Sequence, residues 1–409
     1  MKYYLKCCNC GCVIDNFSAW FGQRQVCSNC GGRHIEAVYF ADYPMLKDLL
    51  KGHPVSFWHY FDFLPLDDKA NIMSFGEGAV GLEEWYFLNS YAAENYGINC
   101  RVYAYRNDMN GGTGTLKDVA ASLIASVLKE NGVSRYCMSS TGNSATANAR
   151  YLSKAGIRFT NYTPATTNQV TIDEIRSYGQ EVVISKGDYA QAKQEASEFS
   201  GKNDVLISIG NIDPLRVEAK RTIVFEFLRQ LGRLPDVYMQ AVAGGTGPIA
   251  LDKGFRELEE RLPEITGMPK IQKLPRMLLV QQDKCDPMVQ AWEKAQKDGF
   301  PENFEKEYPV IENPLTSVFI LSAGNPGMYP LVAKIVKKSN GDFIRVKEDE
   351  LVDFARIVYQ QKNVRIGPAA TVCFAGFYQA LKDNKIKDGD IVVLNIGESG
   401  KRYPDFLSQ

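Results

Sequence analysis

A lysine at the end of a glycine- and threonine-rich turn is the residue of this sequence best suited to covalent chemistry. Residues 110–116 lead into Lys117, and apolar residues recur after it at helical spacing. Lys117 is therefore expected where a loop meets the N-terminus of a helix. Partial desolvation and the positive end of a helix both lower the pKa of an amine. A neutral amine is what Schiff-base formation with a carbonyl group requires.

Two further turns are typical of anion-binding sites. The first, residues 139–145, is rich in hydroxyl groups, and the second, residues 243–248, is rich in glycine. Each follows a strand-like segment and precedes a helical one, so backbone amides and a helix N-terminus are expected to face a ligand. The second turn lacks the Gly-Lys-Ser/Thr ending of a P-loop, which favours a single phosphate over a triphosphate. The alternative for each turn is a βα connection without ligand.

The first 30 residues contain six of the ten cysteines. Four of them form two Cys-x-x-Cys-Gly motifs, Cys7 with Cys10 and Cys27 with Cys30. This spacing predicts a zinc ribbon with a structural, four-sulfur site. Cys8 and Cys12 are spare, and the ligand set can shift to include one of them. Disulfides and a ribbon without metal are the alternatives.

The bulk composition excludes several classes of function. The chain has 409 residues with 47 basic and 48 acidic side chains, so no strong field favours nucleic acid or an anionic membrane as a partner. No signal peptide or bilayer-spanning apolar run is found, and a cytoplasmic protein is expected. All three histidines precede the turns, which disfavours a Ser-His-Asp mechanism.

The elements that must position these turns alternate between strand and helix. Strands are predicted at residues 101–105, 182–184, 204–209, 237–242, 276–282 and 390–395. Interleaved helices predict an α/β fold with doubly wound parallel sheets. We expect a zinc ribbon at residues 1–40 and a catalytic region at 41–409, with a smaller mobile domain at about 121–225.

The three turns, in this order, resemble those of fold-type II pyridoxal-phosphate (PLP) enzymes, the tryptophan synthase β-like superfamily. The chain is similar to threonine synthases over nearly its whole length, including Gly324-Asn325-Pro326 and the N-terminal cysteine module. The resemblance implies two doubly wound domains, a homodimer, and PLP bound covalently to Lys117. It also implies that Asn143 binds the ring oxygen. The predicted phosphate ligands are Gly244, Gly245, Thr246 and Gly247, and the predicted ligands of the substrate α-carboxylate are Ser140, Thr141 and Ser144.

The resemblance implies an amino-acid biosynthetic enzyme that converts O-phosphohomoserine and water into threonine and phosphate. Departures occur at Val119, at Gly367 and in the last glycine loop. Depending on a one-residue gap, Gly397, Glu398 or Ser399 falls at the position that faces the pyridine nitrogen in the resembled family. The alternatives are a β-replacement or deamination of phosphoserine or a related donor, as in cysteate synthase, and a non-catalytic scaffold. Cations are available at Arg106, Lys154 and Arg158, but the sequence assigns none of them to a substrate.

Overall fold

The computed structural model describes residues 2–40, 43–259 and 274–408. Its strands are β1 (Tyr3–Cys7), β2 (Val13–Ile14), β3 (Ile35–Tyr39), β4 (Leu82–Glu84), β5 (Arg101–Tyr105), β6 (Arg135–Ser139), β7 (Arg158–Pro164), β8 (Glu181–Ser185), β9 (Leu206–Ile207), β10 (Val237–Ala241), β11 (Arg276–Gln282), β12 (Asp342–Val346) and β13 (Ile391–Asn395). Its α-helices are α1 (Phe17–Gly22), α2 (Tyr43–Leu49), α3 (Tyr86–Tyr96), α4 (Lys117–Glu130), α5 (Asn143–Lys154), α6 (Gln169–Ser177), α7 (Tyr189–Asn203), α8 (Pro214–Arg221), α9 (Ile223–Leu231), α10 (Thr246–Glu259), α11 (Pro287–Lys297), α12 (Tyr329–Lys338), α13 (Leu351–Lys362) and α14 (Pro368–Lys382).

The N-terminal module is a three-stranded antiparallel sheet in the order β2-β1-β3. Alternate residues of β1, namely Tyr3, Leu5 and Cys7, are buried, as expected for a strand with one covered face. They pack against Phe17 and Trp20 of α1, and this core continues into helices of the catalytic region. The module is thus docked on the body of the protein.

The smaller sheet of the catalytic region is parallel throughout, in the order β8-β7-β6-β9. It spans residues 135–207, inside the predicted smaller domain. The strand predicted at 204–209 forms only at Leu206–Ile207, because the following residues turn into a 3-10 helix at Gly210–Ile212. The hydroxyl-rich turn follows the carboxyl end of β6.

The larger sheet has the order β12-β11-β10-β13-β5-β4, and every neighbouring pair is parallel except β4 with β5. Because β13 lies between β10 and β5, the turns that follow these three strands emerge side by side. Ligands of open α/β sheets bind at such carboxyl ends. The topology alone therefore brings the lysine turn, the glycine turn and the last glycine loop together.

The predicted α/β class with two wound sheets behind a small module is confirmed. The domain limits stay predictions, and their boundary at residue 41 lies outside the described residues. Within the described ranges, the helices are all too short or too polar to cross a bilayer.

Candidate active site

A cavity of about 1040 Å³ lies between the two sheets of the catalytic region. The structure brings together at this cavity almost every site residue predicted from the sequence. Those lining it are Lys117, Ser140, Thr141, Asn143, Ser144, Gly244, Gly245, Thr246, Gly247 and Glu398. Gly324, Asn325 and Pro326 also line it.

Lys117 is the first residue of α4, and Asp118 holds the loop in front of it. One carboxylate oxygen of Asp118 accepts hydrogen bonds from the backbone amide (2.9 Å) and hydroxyl (2.8 Å) of Thr113. The other accepts from the backbone amide of Thr115 at 2.8 Å. Burial lowers the pKa of Lys117 to about 8, and the positive charge of Arg216 acts in the same direction. A large share of the lysine is therefore neutral at mildly alkaline pH.

The glycine turn after β10 passes directly into α10 at Thr246. Gly245 has a φ of +93°, a conformation that favours glycine. A Cβ on Gly244 would lie 2.1 Å from the side-chain nitrogen of Asn211, so a side chain there would collide. The Thr246 hydroxyl donates to Asn211 Oδ1 at 2.9 Å. The turn therefore presents bare backbone at a helix N-terminus, which is an arrangement that binds phosphate.

Glu398 is a buried acid in the cavity wall, with 1% of its surface exposed. Its carboxylate accepts hydrogen bonds from Asn143 Nδ2 at 2.5 Å and from the Ala369 amide at 2.7 Å. Burial raises the pKa of Glu398. A Cβ on Gly367 would lie 2.6 Å from its Oε1, so the glycine at 367 leaves room for this side chain.

Ser399 lies outside the cavity lining, although the sequence left it as an alternative to Glu398. Its amide donates to the Gly114 carbonyl at 2.9 Å, and its hydroxyl accepts from the Lys401 amide at 3.3 Å. Its side chain therefore caps the following turn. Gly397 and Glu398 line the cavity, and of the side chains of Glu398 and Ser399 only that of Glu398 reaches it.

A second layer of hydrogen bonds connects Asn143 to the C-terminal segment. Arg402 donates to Asn143 Oδ1 at 2.7 Å and forms an ion pair with Glu174 of α6 at 2.5 Å. Both polar atoms of the Asn143 amide are thus engaged, one by Glu398 and one by Arg402. This arrangement fixes the amide orientation.

Of the cavity cations that the sequence analysis missed, two lie on a single helix. Arg216 and Lys220 lie four residues apart on α8, and both line the cavity. Arg216 approaches the Ser144 hydroxyl at 3.5 Å. Lys220 is 2% exposed, and its ammonium has no hydrogen bond or ion pair with the described residues. Burial, together with the charges of Lys117 and Arg216, places the pKa of Lys220 well below its ordinary value.

The cations named from the sequence, Arg106, Lys154 and Arg158, do not line the cavity. Arg106 pairs with Asp108 (2.9 Å) and Glu83 (2.5 Å). The spacing of Arg216 and Lys220 predicts that they share a helix face, but it does not indicate that this face lines a cavity.

The cysteine quartet is compact in the folded module. Cys7 Sγ lies 3.6 Å from Cys30 Sγ, and Cys10 Sγ lies 3.7 Å from Cys27 Sγ. All four sulfurs lie within 4.8 Å of one another. Four thiolates at zinc–sulfur bond lengths of about 2.3 Å stand roughly 3.8 Å apart in a tetrahedron, so the quartet fits zinc.

The cavity residues fit a cofactor that carries a carbonyl carbon and one phosphate. Lys117 offers an amine with a lowered pKa, the glycine turn offers a helix N-terminus, and Asn143 and Glu398 offer an amide and a carboxyl group. Among the described lining residues, Glu398 is the sole acid, whereas six are lysines or arginines. The cavity therefore suits anionic ligands.

Comparison with known proteins identifies relatives over most of the chain. The family described as "Pyridoxal-phosphate dependent enzyme" matches residues 88–397. Threonine synthase of Methanocaldococcus jannaschii is 28% identical over 386 residues, covering 92% of this chain and 88% of the relative. Threonine synthase of Methanosarcina acetivorans is 27% identical over 403 residues, covering 97% and 91%.

Solved structures with the same fold include two enzymes of lower sequence identity. Processed threonine deaminase isoform 2 from Solanum lycopersicum aligns with a TM-score of 0.61 at 19% identity, covering 80% of this chain and 82% of that chain. Maize serine racemase aligns with a TM-score of 0.61 at 16% identity, covering 78% and 89%. These likenesses concern the fold.

Proposed function

We propose that this chain, which belongs to the family of pyridoxal-phosphate dependent enzymes, is a lyase that eliminates phosphate from O-phosphohomoserine and adds water to give threonine. The observation that carries the proposal is the pair Arg216 and Lys220 beside Lys117, in a cavity with few acids. Relatives along nearly the whole chain carry the name threonine synthase.

The cofactor-binding residues of the proposal are those of the cavity wall. Lys117 would hold PLP covalently, the glycine turn of residues 244–247 its phosphate, and Asn143 its ring oxygen. Glu398 would face the pyridine nitrogen. When bound, PLP accepts the electrons left at the substrate α-carbon. Lys117 Nζ would remove and return the α-proton, a role that suits an amine whose pKa is lowered to about 8.

Substrate recognition in the proposal uses the hydroxyl turn and the α8 cations. The α-carboxylate would bind Ser140, Thr141 and Ser144 at the start of α5. The phosphate would bind Arg216 and Lys220, because a dianion beside Lys220 favours its protonated form and a guanidinium and an ammonium together match the phosphate charge. Closure of the smaller domain, residues about 121–225, would exclude water while phosphate leaves.

A second candidate reaction is β-replacement or deamination of phosphoserine or a related donor. Phosphoserine carries the same carboxylate and phosphate, so Ser144 and Arg216, 3.5 Å apart, suit a shorter substrate as well. A homodimer stays a prediction from the sequence resemblance.

The test begins with the colour of the purified protein. Wild type should absorb visible light through PLP bound to Lys117, and borohydride should trap the cofactor covalently. The Lys117→Ala variant should lose that band. A protein that stays colourless with added PLP would contradict the proposal and favour a scaffold.

The substrate is tested by screening amino acids for a spectral shift together with phosphate release. O-Phosphohomoserine should give both, with threonine as product. Arg216→Gln should raise the KM for this substrate by about 10- to 100-fold, which corresponds to the loss of one charge-assisted hydrogen bond. A response to phosphoserine without one to O-phosphohomoserine would replace the first candidate by the second.

A further inference from the structure

A second group of metal-ligand side chains lies on the N-terminal module, apart from the cysteine quartet. The Cys8 thiol, the His34 imidazole and the Glu36 carboxylate each place a ligand atom within 4.8 Å of the other two. The group brings together one sulfur, one nitrogen and one oxygen donor. Sulfur, imidazole nitrogen and carboxylate oxygen are the donors that zinc accepts in proteins.

The pairing of β1 with β3 explains why these three residues meet. Cys7 pairs with Ile35 and Lys6 with Glu36. In the same register Cys8 lies opposite His34, and the Cys8 amide donates a hydrogen bond to the His34 carbonyl at 2.9 Å. Because side chains alternate between faces, Cys8, His34 and Glu36 share the face opposite to Cys7. The buried face supplies Cys7 to the quartet, and the other face carries this trio.

Cys8 and Cys12, the two N-terminal cysteines outside the quartet, differ in their surroundings. Cys8 is exposed and belongs to the trio, so it is reachable from solvent. Cys12 belongs to neither group of the described residues, and its thiol lies 3.7 Å from the Val13 carbonyl. Cys12 is therefore a matched control for Cys8.

His34 and Glu36 each keep a ligand atom that has no hydrogen-bond partner among the described residues. His34 Nε2 is buried, and no hydrogen-bond partner for it is found among residues 2–40, 43–259 and 274–408. Glu36 Oε1 accepts from Arg256 at 2.8 Å, which leaves Oε2 free to bind an ion. Arg256 also pairs with Asp252 at 2.8 Å, which offsets part of its positive charge. Hydrogen-bonded carboxylates of this kind are common around protein metal sites.

We propose that Cys8, His34 and Glu36 form a second zinc site on this module, with a fourth position open to water. On binding, the Cys8 thiol releases its proton to solvent, and the thiolate and carboxylate balance the two charges of Zn²⁺. The imidazole binds as a neutral ligand. Three protein ligands and one open position distinguish this site from the closed quartet.

The test is the zinc content of the full-length protein with its cofactor bound. After equilibration with Zn²⁺ and removal of the excess, wild type should contain two equivalents per chain. Cys8→Ser and His34→Ala should each contain one, and Cys12→Ser should contain two. Cys30→Ser should lose the quartet metal; if this variant fails to fold, the Cys8 and His34 variants still decide the question.

Cobalt substitution identifies which site is filled. Titration of the metal-free protein with Co²⁺ should give thiolate-to-metal absorption in two phases, and the phase from the single-thiolate site should vanish in Cys8→Ser. A single zinc equivalent in wild type would overturn the proposal. So would two equivalents that persist in both Cys8→Ser and His34→Ala. Neither result depends on whether the protein acts on O-phosphohomoserine.

Discussion

At the scale of single residues, the cavity concentrates positive charge around the amine of Lys117. In addition to burial, the positive charge of Arg216 lowers the pKa of Lys117, and the charges of Lys117 and Arg216 lower that of Lys220. The pKa of Lys117 is lowered mainly by burial and secondarily by Arg216. Arg216, one of the cations that would suit an anionic substrate, thus also favours the neutral amine that the proposed role of Lys117 requires.

The rate at which the cofactor-free protein binds PLP covalently should rise with pH through about 8, as Lys117 loses its proton. In Arg216→Gln the midpoint should move upward, because a charge that disfavours the ammonium is removed. Stopped-flow absorbance across pH 6.5–10 measures both. Arg158→Gln, at an exposed arginine outside the cavity lining, is the control and should keep the wild-type midpoint. A midpoint unchanged by Arg216→Gln would contradict this account of the charges.

Substitutions of Glu398 and of Ser399 should differ sharply in their effects on kcat and on the visible spectrum of the bound cofactor. Glu398→Gln replaces a charge-assisted contact and should lower kcat by about 10- to 100-fold, with an altered visible spectrum of the bound cofactor. Ser399→Ala should leave the spectrum and kcat near wild type, since its hydroxyl only caps the next turn. Gly367→Ala should mimic Glu398→Gln through its collision with Oε1, whereas Gly81→Ala, with open space around it, serves as the control. A strong spectral effect of Ser399→Ala alone would reverse the assignment.

At the scale of elements, the lysine turn is held by the first residues of the helix that it precedes. Asp118 is fully buried and accepts three hydrogen bonds from Thr113 and Thr115. Its carboxylate thus holds the loop of residues 113–115 against the start of α4, where Lys117 lies. The turn and α4 act as one element.

Asp118→Ala should leave three donors without their acceptor and release the turn. Losing such contacts costs about 1–3 kcal/mol per buried group, so the thermal midpoint should fall and PLP affinity should drop. Calorimetry and PLP titration measure the two effects. Asp118→Asn keeps part of the acceptor set and should lie between wild type and alanine. An alanine variant with wild-type PLP affinity would show that the turn is held by other contacts.

The elements also explain how much could be predicted from the sequence. The lysine, hydroxyl and glycine turns follow buried strands, and strand period and turn composition locate them in a single sequence. Their convergence follows from parallel topology. Arg216 and Lys220 were missed because α8 is a short helix whose charged residues are largely buried, and no local pattern distinguishes a charge facing a cavity from one facing solvent. The positions of Glu398 and Ser399 likewise depend on a loop register that the folded chain fixes through the bridges Thr115–Glu398 and Ile366–Ser399.

At the scale of the whole molecule, a buried ion network fastens the N-terminal module to the body. The Glu218 carboxylate accepts from the Ala37 amide (3.0 Å) and the Tyr39 hydroxyl (2.8 Å) of β3. Lys253 of α10 pairs with Glu218 and also donates to the Ala37 carbonyl, both at 2.9 Å. The contact therefore connects the module to the helix that starts at the glycine turn.

Glu218→Gln should weaken this contact, lower the thermal midpoint of the protein and make that midpoint depend less on pH in the acid range. Lys253 and Arg221 hold the pKa of Glu218 below its ordinary value against the effect of burial. Its stabilisation is therefore complete above the unfolded pKa of about 4.5 and is lost as pH falls through the folded pKa. Breaking one partner of a buried pair costs about 3–5 kcal/mol, so the thermal midpoint at pH 7 should fall by roughly 3–6 °C.

Thermal scans from pH 3 to pH 7 check this prediction. The wild-type midpoint should fall steeply at the acid end, and the variant should start lower and fall less. Glu198→Gln, an exposed position on α7, is the control and should follow wild type. A variant as stable as wild type at pH 7 would remove Glu218 from the docking contact.

The N-terminal module also forms part of the cavity wall, through Arg24, Gln25, Val26 and Arg33. Arg24 reaches across to Asp204 and the Ser200 carbonyl at the end of α7. The N-terminal module and the body of the protein thus enclose this cavity together. Substitutions within the module would therefore change the shape and charge of the cavity wall without altering Lys117 or the turn that precedes it.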